Sequence, residues 1–239
     1  MMKLSVIIPV FNEENTISEI LKKVHGVKIP NVSTEIIVVD DGSTDSTESE
    51  IRNSKFEIRN FKYIRHKTNK GKGAAVRTGI KHATGDYIVI QDADLEYDPN
   101  DIVKLLRPVL KGDVKVVYGT RLKRLPSFSK EEKTPRFLLH YIGNRFLSLI
   151  TSILYGQWIT DMETCYKVFP KSAVEDIVLK SRRFDFEPEI TAKLLKKGYK
   201  ISEIPITTNP RSYGEGKKLN TFKDGTIALF TLLKCRFID

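Results

Sequence analysis

The chain has 239 residues, with 40 Lys and Arg against 30 Asp and Glu for a formal charge of +10, and it is 40% apolar and 29% charged. That balance is a soluble globular one, and it excludes a disordered tail protein, a collagen-like repeat and a polytopic membrane protein. Two cysteines far apart in sequence, Cys165 and Cys235, suit neither a disulfide framework nor a Cys-rich zinc site and read as inert thiols in a reducing compartment.

In chain order, the first half alternates short apolar runs with amphipathic stretches. Residues 4–10, 35–40, 62–65, 86–92 and 114–118 are rich in Val, Ile and Tyr and nearly continuous in apolarity, which predicts five parallel strands buried on both faces. Between them, 12–24, 46–53, 73–83 and 99–110 carry helical patterns. The last has Asp98 as N-cap and Pro99 in its first turn, and Pro108 predicts a kink or an early end. This rhythm predicts an α/β fold with a mostly parallel, twisted sheet and flanking helices. After Gly119 the rhythm breaks. A basic, Pro-punctuated loop over 121–135 precedes a helix over 136–154, a strand over 165–169, helices over 171–179 and 188–197, a strand over 200–207 and a helix over 221–236. No repeat or linker divides the chain, so one domain over 1–239 is expected.

No signal-peptide pattern opens the sequence, which predicts a protein that stays on the cytoplasmic side. The stretch 137–158 is interrupted by His140, Asn144, Arg145 and Gln157, and 227–233 is too short for a bilayer core of roughly 30 Å, so no spanning helix is expected. Charge is concentrated. Residues 111–145 hold nine basic and three acidic side chains and 193–223 eight and two, leaving the remainder slightly acidic. Two basic stretches on such a body suit an anionic partner (nucleic acid, anionic lipid or a phosphorylated substrate) or else are solvated Lys-rich faces.

In open parallel sheets ligands bind at the carboxyl ends of strands. Four predicted strands run there into polar clusters: Pro9 to Glu14, Asp40 to Asp45, Asp92-Ala93-Asp94 and Gly119-Thr120-Arg121. Each alone reads equally as a turn with a helix cap; together they mark one edge of one sheet. Asp92 and Asp94, two apart on an extended segment, project the same way and can share a cation, and oxygen-only ligation points to Mg²⁺ or Mn²⁺ rather than zinc. The segment NKGKGAAVRTG at 69–79 has neither the P-loop nor the dinucleotide-binding glycine pattern. It gathers glycines, Lys70, Lys72 and a helix start, which suits either a tight turn or contact with a nucleotide or phosphate.

The ordered series SVIIPVFNEE, IIVVDDGSTDST, NKGKGAAVRTGI, IQDADLEYDP, VVYGTR, TDMETCYKVF, FEPEI and NPRSYGEGKK resembles the family-2 glycosyltransferases of GT-A fold. Within them it is similar to the polyprenyl-phosphate hexose synthases, such as dolichol-phosphate mannose synthase and dolichyl-phosphate glucosyltransferase. The resemblance covers residue 4 to about 219. It implies a nucleotide-sugar-binding half over 1–120 and an acceptor half over 121–239. Pro9, Phe11, Glu13, Asp40 and Lys72 then belong with the nucleotide sugar. Asp92 and Asp94, with Glu96, belong with the metal and diphosphate. Arg121 and Arg136 belong with the acceptor phosphate, and Arg211 and Lys217 with the stretch that closes over the donor. Phe11 stands where many relatives have Tyr, and the surroundings of Arg136 depart from the mannose-synthase pattern.

The implied reaction is an inverting transfer of mannose or glucose from GDP-mannose or UDP-glucose, assisted by Mg²⁺ or Mn²⁺, to a polyprenyl phosphate. A phosphate with a second pKa near about 6 is already a nucleophile at neutral pH, whereas a hydroxyl acceptor needs a carboxylate to take its proton. Asp161 is the candidate base in the hydroxyl case; otherwise Asp161 and Glu163 position Arg or Lys side chains. Apolar residues at helical spacing over 137–153, and the run 227–237 with Lys234 and Arg236, are either core faces or interfacial helices for peripheral attachment to the cytoplasmic face of a membrane, with a membrane-anchoring partner as an aid. Nothing matches a nucleic-acid-binding module, so no nucleic-acid partner is expected. The rivals are transfer to a hydroxyl of a glycan, protein or lipid, and nucleotidyl transfer.

Overall fold

Fourteen regular elements follow one another in a computed structural model that describes residues 1–54, 60–121, 135–209 and 221–239, apart from the side chains of 135–137 and 221. They are β1 (Met2–Val10), α1 (Ile17–Gly26), β2 (Val32–Asp40), α2 (Thr47–Ser54), β3 (Phe61–Arg65), α3 (Lys72–His82), β4 (Tyr87–Ile90), α4 (Asp101–Leu110), β5 (Val116–Thr120), α5 (Pro135–Tyr155), β6 (Lys167–Pro170), α6 (Phe186–Lys196), β7 (Ile201–Pro205) and α7 (Thr221–Phe237). The strands form one sheet in the order β3-β2-β1-β4-β6-β5-β7. All pairings are parallel except those of β6, which runs antiparallel between β4 and β5.

The apolar runs explain the core. Val6, Ile7 and Ile8 of β1, Ile36 to Val39 of β2, and Ile88 to Ile90 of β4 are buried, as strands covered by helices on both faces require. Two registers matter for function: Val10 pairs with Asp40, and Ile7 with Ile90. The chain winds outward from β1 to β2 and β3, then returns to place β4 on the other side of β1. The order reverses between β1 and β4, so their carboxyl ends open a crevice.

Three local expectations are corrected. The first helix begins at Ile17 rather than at residue 12, because residues 12–14 are committed to the loop after β2. Asn12 N–H donates to Ser43 Oγ at 3.0 Å, Glu13 N–H to Thr47 Oγ1 at 2.8 Å, and Thr44 N–H to Asn12 Oδ1 at 2.9 Å. The helix expected over 171–179 is only a short 3₁₀ turn, Lys171–Ala173. Beyond it the backbone has better partners: the Glu189 carboxylate of α6 accepts the N–H groups of Lys180 and Ser181, and Arg182 C=O accepts Ala74 N–H of α3. Pro108 does not end α4, since burial of Ile102, Leu105, Leu106 and Val109 holds the helix to Leu110.

Candidate active site

A cavity of about 410 Å³ opens at the β1/β4 crevice. β1 supplies Pro9, Val10 and Phe11 with Glu13 beyond; the segment after β4 supplies Asp92, Asp94, Glu96 and Tyr97. Lys72 comes from the start of α3, Arg121 from the end of β5, Glu163 and Cys165 from the approach to β6, and Phe184 and Glu187 from the approach to and start of α6.

Asp40 does not line this cavity. It is fully buried and its carboxylate accepts from Ser43 N–H at 2.8 Å and Tyr63 OH at 2.9 Å, with Arg65 Nε at 3.4 Å. The neighbouring Asp41 lines it instead, and holds the 69–71 loop by accepting from Lys70 N–H, from Gly71 N–H at 2.6 Å, and by bonding His66 Nδ1 at 2.6 Å. The glycines of that loop then have a mechanical meaning. Gly71 has φ +95°, and a side chain there would collide with the Arg182 carbonyl. The tight turn expected within 69–79 is present at Gly71, and Asn69, Gly71 and Lys72 line the cavity.

Lys72 spans the floor. Its Nζ lies 2.8 Å from Asp92 Oδ1 and 3.1 Å from Glu187 Oε1, with the Phe184 ring 5.9 Å away. Burial opposes its charge, but Asp92 foremost, then other neighbours including Glu187, hold the ammonium well above its ordinary pKa. Asp94 shows the reverse. Burial first, and then the charges of Asp92 and Glu96, push its carboxyl up to about 7. Among the described residues no three His, Cys, Asp or Glu side chains are gathered into a set able to hold a metal, so Glu96 is not assembled with Asp92 and Asp94 as a third ligand. The fit to a hard cation rests on the two aspartates: oxygen donors in excess of positive charge, beside a cavity with room for phosphate oxygens and water, which is how Mg²⁺ is commonly held.

At the far wall, Asp161 is fully buried and bound to Arg121 through two parallel contacts, Nε to Oδ2 at 2.8 Å and Nη2 to Oδ1 at 2.7 Å. Arg121 N–H adds 2.9 Å to Oδ2 and Asn144 Nδ2 adds 3.1 Å to Oδ1. Burial alone would raise the Asp161 pKa, yet the Arg121 charge and these donors hold it below the usual carboxylate range. Beside them Glu163 is pushed up to about 8, by burial and then by the charge of Glu187.

Arg211 and Lys217 lie outside the described residues, as does the side chain of Arg136. The chain reaches the cavity rim just before Arg211: Asn209 N–H donates to Glu96 C=O at 2.8 Å, and Tyr97 bridges Thr208. Sequence reasoning missed Asp41, Tyr97, Phe184 and Glu187 as cavity residues. Asp41, Tyr97 and Glu187 stand in the segments IIVVDDGSTDST, IQDADLEYDP and FEPEI, which gave their neighbourhood without singling them out. Phe184 lies in none of them and lines the cavity through packing that no local pattern announces.

Residues 5–178 match the model described as glycosyl transferase family 2. The chain belongs to glycosyl transferase family 2. It is 34% identical over 233 residues, 95% of this chain and 90% of the other, to an uncharacterised protein of Methanocaldococcus jannaschii. It is 32% identical over 232 residues, 90% of this chain and 89% of the other, to the UDP-N-acetylglucosamine–dolichyl-phosphate N-acetylglucosaminyltransferase of Methanococcus voltae. Among solved structures, glucosyl-3-phosphoglycerate synthase of Mycobacterium tuberculosis superposes with a TM-score of 0.72 at 18% identity, over 100% of this chain and 82% of that one. Its complex with Mn²⁺ and UDP-glucose gives 0.73 at 18% identity, over 100% of this chain and 80% of that one. At such identity the likeness is one of fold, and it is the GT-A-type fold expected for this family-2 glycosyltransferase.

Proposed function

We propose that this family-2 enzyme transfers a hexose, with inversion, from a nucleotide sugar to a polyprenyl phosphate at the cytoplasmic face of a membrane. The observation that carries the acceptor is the state of Asp161. A carboxylate has about four acceptor positions, and Asp161 receives four hydrogen bonds, three of them from Arg121. It is thereby spent on holding a guanidinium at the cavity wall rather than free to take a proton from a hydroxyl. A site that fixes a cation with the carboxylate best placed to be a base suits an acceptor that is already an oxyanion. The dolichyl-phosphate acceptor in the name of the M. voltae relative agrees with this.

Asp92 and Asp94 would hold Mg²⁺ or Mn²⁺, the Mn²⁺ complex of the M. tuberculosis synthase lending support. When bound, the ion supplies Lewis-acid stabilisation of the departing diphosphate. Lys72, fixed between Asp92 and Glu187, adds a permanent positive charge at that end. Arg121 orients the acceptor phosphate, with Arg136, and Pro9, Phe11 and Glu13 receive the nucleoside. Arg211 and Lys217 close over the donor.

Two helices favour the membrane. Among the described residues no helix is long and apolar enough to cross one. Yet α5 leaves Ile142, Phe146, Leu149 and Ile153 in solvent, and α7 leaves Phe230, Leu233 and Phe237, with exposed Arg145 and Arg236 on the same helices. Such stripes flanked by basic residues suit an anionic lipid surface.

The test is transfer of radiolabelled sugar from UDP-glucose, GDP-mannose or UDP-N-acetylglucosamine to a short-chain polyprenyl phosphate with Mg²⁺ or Mn²⁺, the product being extracted into organic solvent. Labelled lipid from one donor, lost in Asp94→Ala, is the expected result. Transfer to a hydroxyl acceptor without labelled lipid would overturn the proposal.

A further inference from the structure

Glu163 is a carboxylate on the cavity wall to which neither catalysis nor ion binding has given a task. It accepts no hydrogen bond and makes no ion pair among the described residues, and its Oε1 is enclosed without a partner. Its neighbour Glu187 is 4% exposed and spends Oε1 on Lys72, while Oε2 is likewise enclosed and unpartnered. Buried acceptor oxygens without protein donors are rare in folded proteins, and beside a cavity they leave a position for a donor from a ligand or from water.

Position narrows the ligand. Asp92, Lys72 and Glu187 form a connected series from the diphosphate end. Glu163 stands two residues beyond Asp161, whose partner Arg121 is the acceptor end. In a displacement the reacting carbon lies between the leaving and attacking oxygens, so the transferred sugar ring must occupy the span between Asp92 and Arg121. Glu163 and Glu187 line that span. A sugar ring presents hydroxyl donors, which unpartnered carboxyl oxygens recognise by position and configuration.

We propose that Glu163, held beside the Glu187–Lys72 pair, binds a hydroxyl of the transferred sugar and sets which sugar the enzyme accepts. This rests on the proposed nucleotide-sugar chemistry but not on the lipid acceptor. Glu163 is the contact residue; Glu187 is a positioning residue that fixes Lys72 and shapes the wall.

The test is donor binding without acceptor, by calorimetry with Mn²⁺ present. The nucleoside diphosphate, its sugar form and the monodeoxy-sugar forms are compared on the wild-type protein, Glu163→Gln and Glu163→Ala. In the wild type, one deoxy donor should bind roughly ten- to a hundredfold more weakly than its parent, the cost of leaving a buried acceptor oxygen unpaired. In both variants that discrimination should shrink to about twofold for the same position only. Equal wild-type affinity for every deoxy donor overturns the assignment without use of a variant. A uniform loss across parent and deoxy donors in the variants also overturns it, since that pattern belongs to a residue that pairs with another protein group. If the wild type binds no nucleotide sugar at all, the proposed function falls together with this inference; if it binds one but labels no lipid, only the acceptor assignment falls.

Discussion

Asp161 shows how the occupancy of one carboxylate bears on two reactions that its sequence leaves open. As a base it would need a vacant oxygen facing the acceptor; as a positioning group it needs the opposite, full occupation by donors. The four donors from Arg121 and Asn144 describe the second case. Asp161→Asn keeps the shape and removes the charge that anchors Arg121. The acceptor KM is expected to rise roughly ten- to a hundredfold, with a smaller change in kcat, because what is lost is a charge-assisted contact to the phosphate. Steady-state kinetics in polyprenyl phosphate check this; a fall in kcat of about 10⁴ at unchanged acceptor KM would restore the base.

At the scale of elements, buried polar side chains tie strand ends and loops that the apolar pattern alone would leave loose. Glu35 of β2 accepts from Ser5 Oγ of β1 at 2.6 Å, from Thr84 N–H at 2.6 Å and from Thr84 Oγ1 at 2.8 Å, with Lys3 Nζ at 3.2 Å. Burial would raise its pKa, but these partners prevail and lower it from 4.5 to about 2. A carboxylate lowered in the folded state stabilises the fold above its unfolded pKa, and that contribution fades as pH falls from 4.5 toward 2. Glu35→Gln should therefore cost on the order of 2 kcal/mol at pH 7, with the gap to wild type narrowing at pH 3. Denaturant unfolding at both pH values measures it, and an equal gap at each would contradict the linkage. Gly71 joins loop to loop by the same logic. Its φ of +95° and the adjacent Arg182 carbonyl leave no room for a methyl group, so Gly71→Ala should lose more than about 1 kcal/mol. Its Lys72 would be displaced as well, which a loss of nucleotide affinity in calorimetry would reveal.

On the scale of the whole molecule, the sheet gathers one kind of chemistry along one edge, while the helices of the second half leave apolar stripes in solvent. Phe146 and Phe230 are 51% and 65% exposed, and neither touches the cavity. The double substitution Phe146→Glu with Phe230→Glu should weaken partitioning onto anionic vesicles by at least about tenfold, given the area and charge involved. Transfer to a water-soluble short-chain acceptor should stay within about twofold, since both side chains lie off the cavity. Vesicle co-sedimentation checks the first outcome, and unchanged sedimentation would assign the stripes to another role.

The alternation of apolar runs with amphipathic stretches was enough to place β1 through β5 and the helices between them, because burial on both faces of a parallel strand leaves a direct imprint on residue type. Asp92 and Asp94 were legible for the same reason: a strand must end where charge begins. Asp41 taking the cavity position expected of Asp40 was not legible, since adjacent carboxylates on a strand end differ only in which face the pleat gives them. The helix expected over 171–179 stops at Ala173, and just past that span the backbone of Lys180, Ser181 and Arg182 is engaged by Glu189 and Ala74. Glu163 and Glu187, 24 residues apart, share the cavity wall only because β6 inserts antiparallel between β4 and β5 and α6 returns beside α3. The sequence by itself determined the elements, the family and the donor edge, through local patterns of burial and charge. Which carboxylates are saturated, which keep an empty acceptor and what stands between donor and acceptor were decided by tertiary contacts alone, because hydrogen-bond occupancy is a property of neighbours in space.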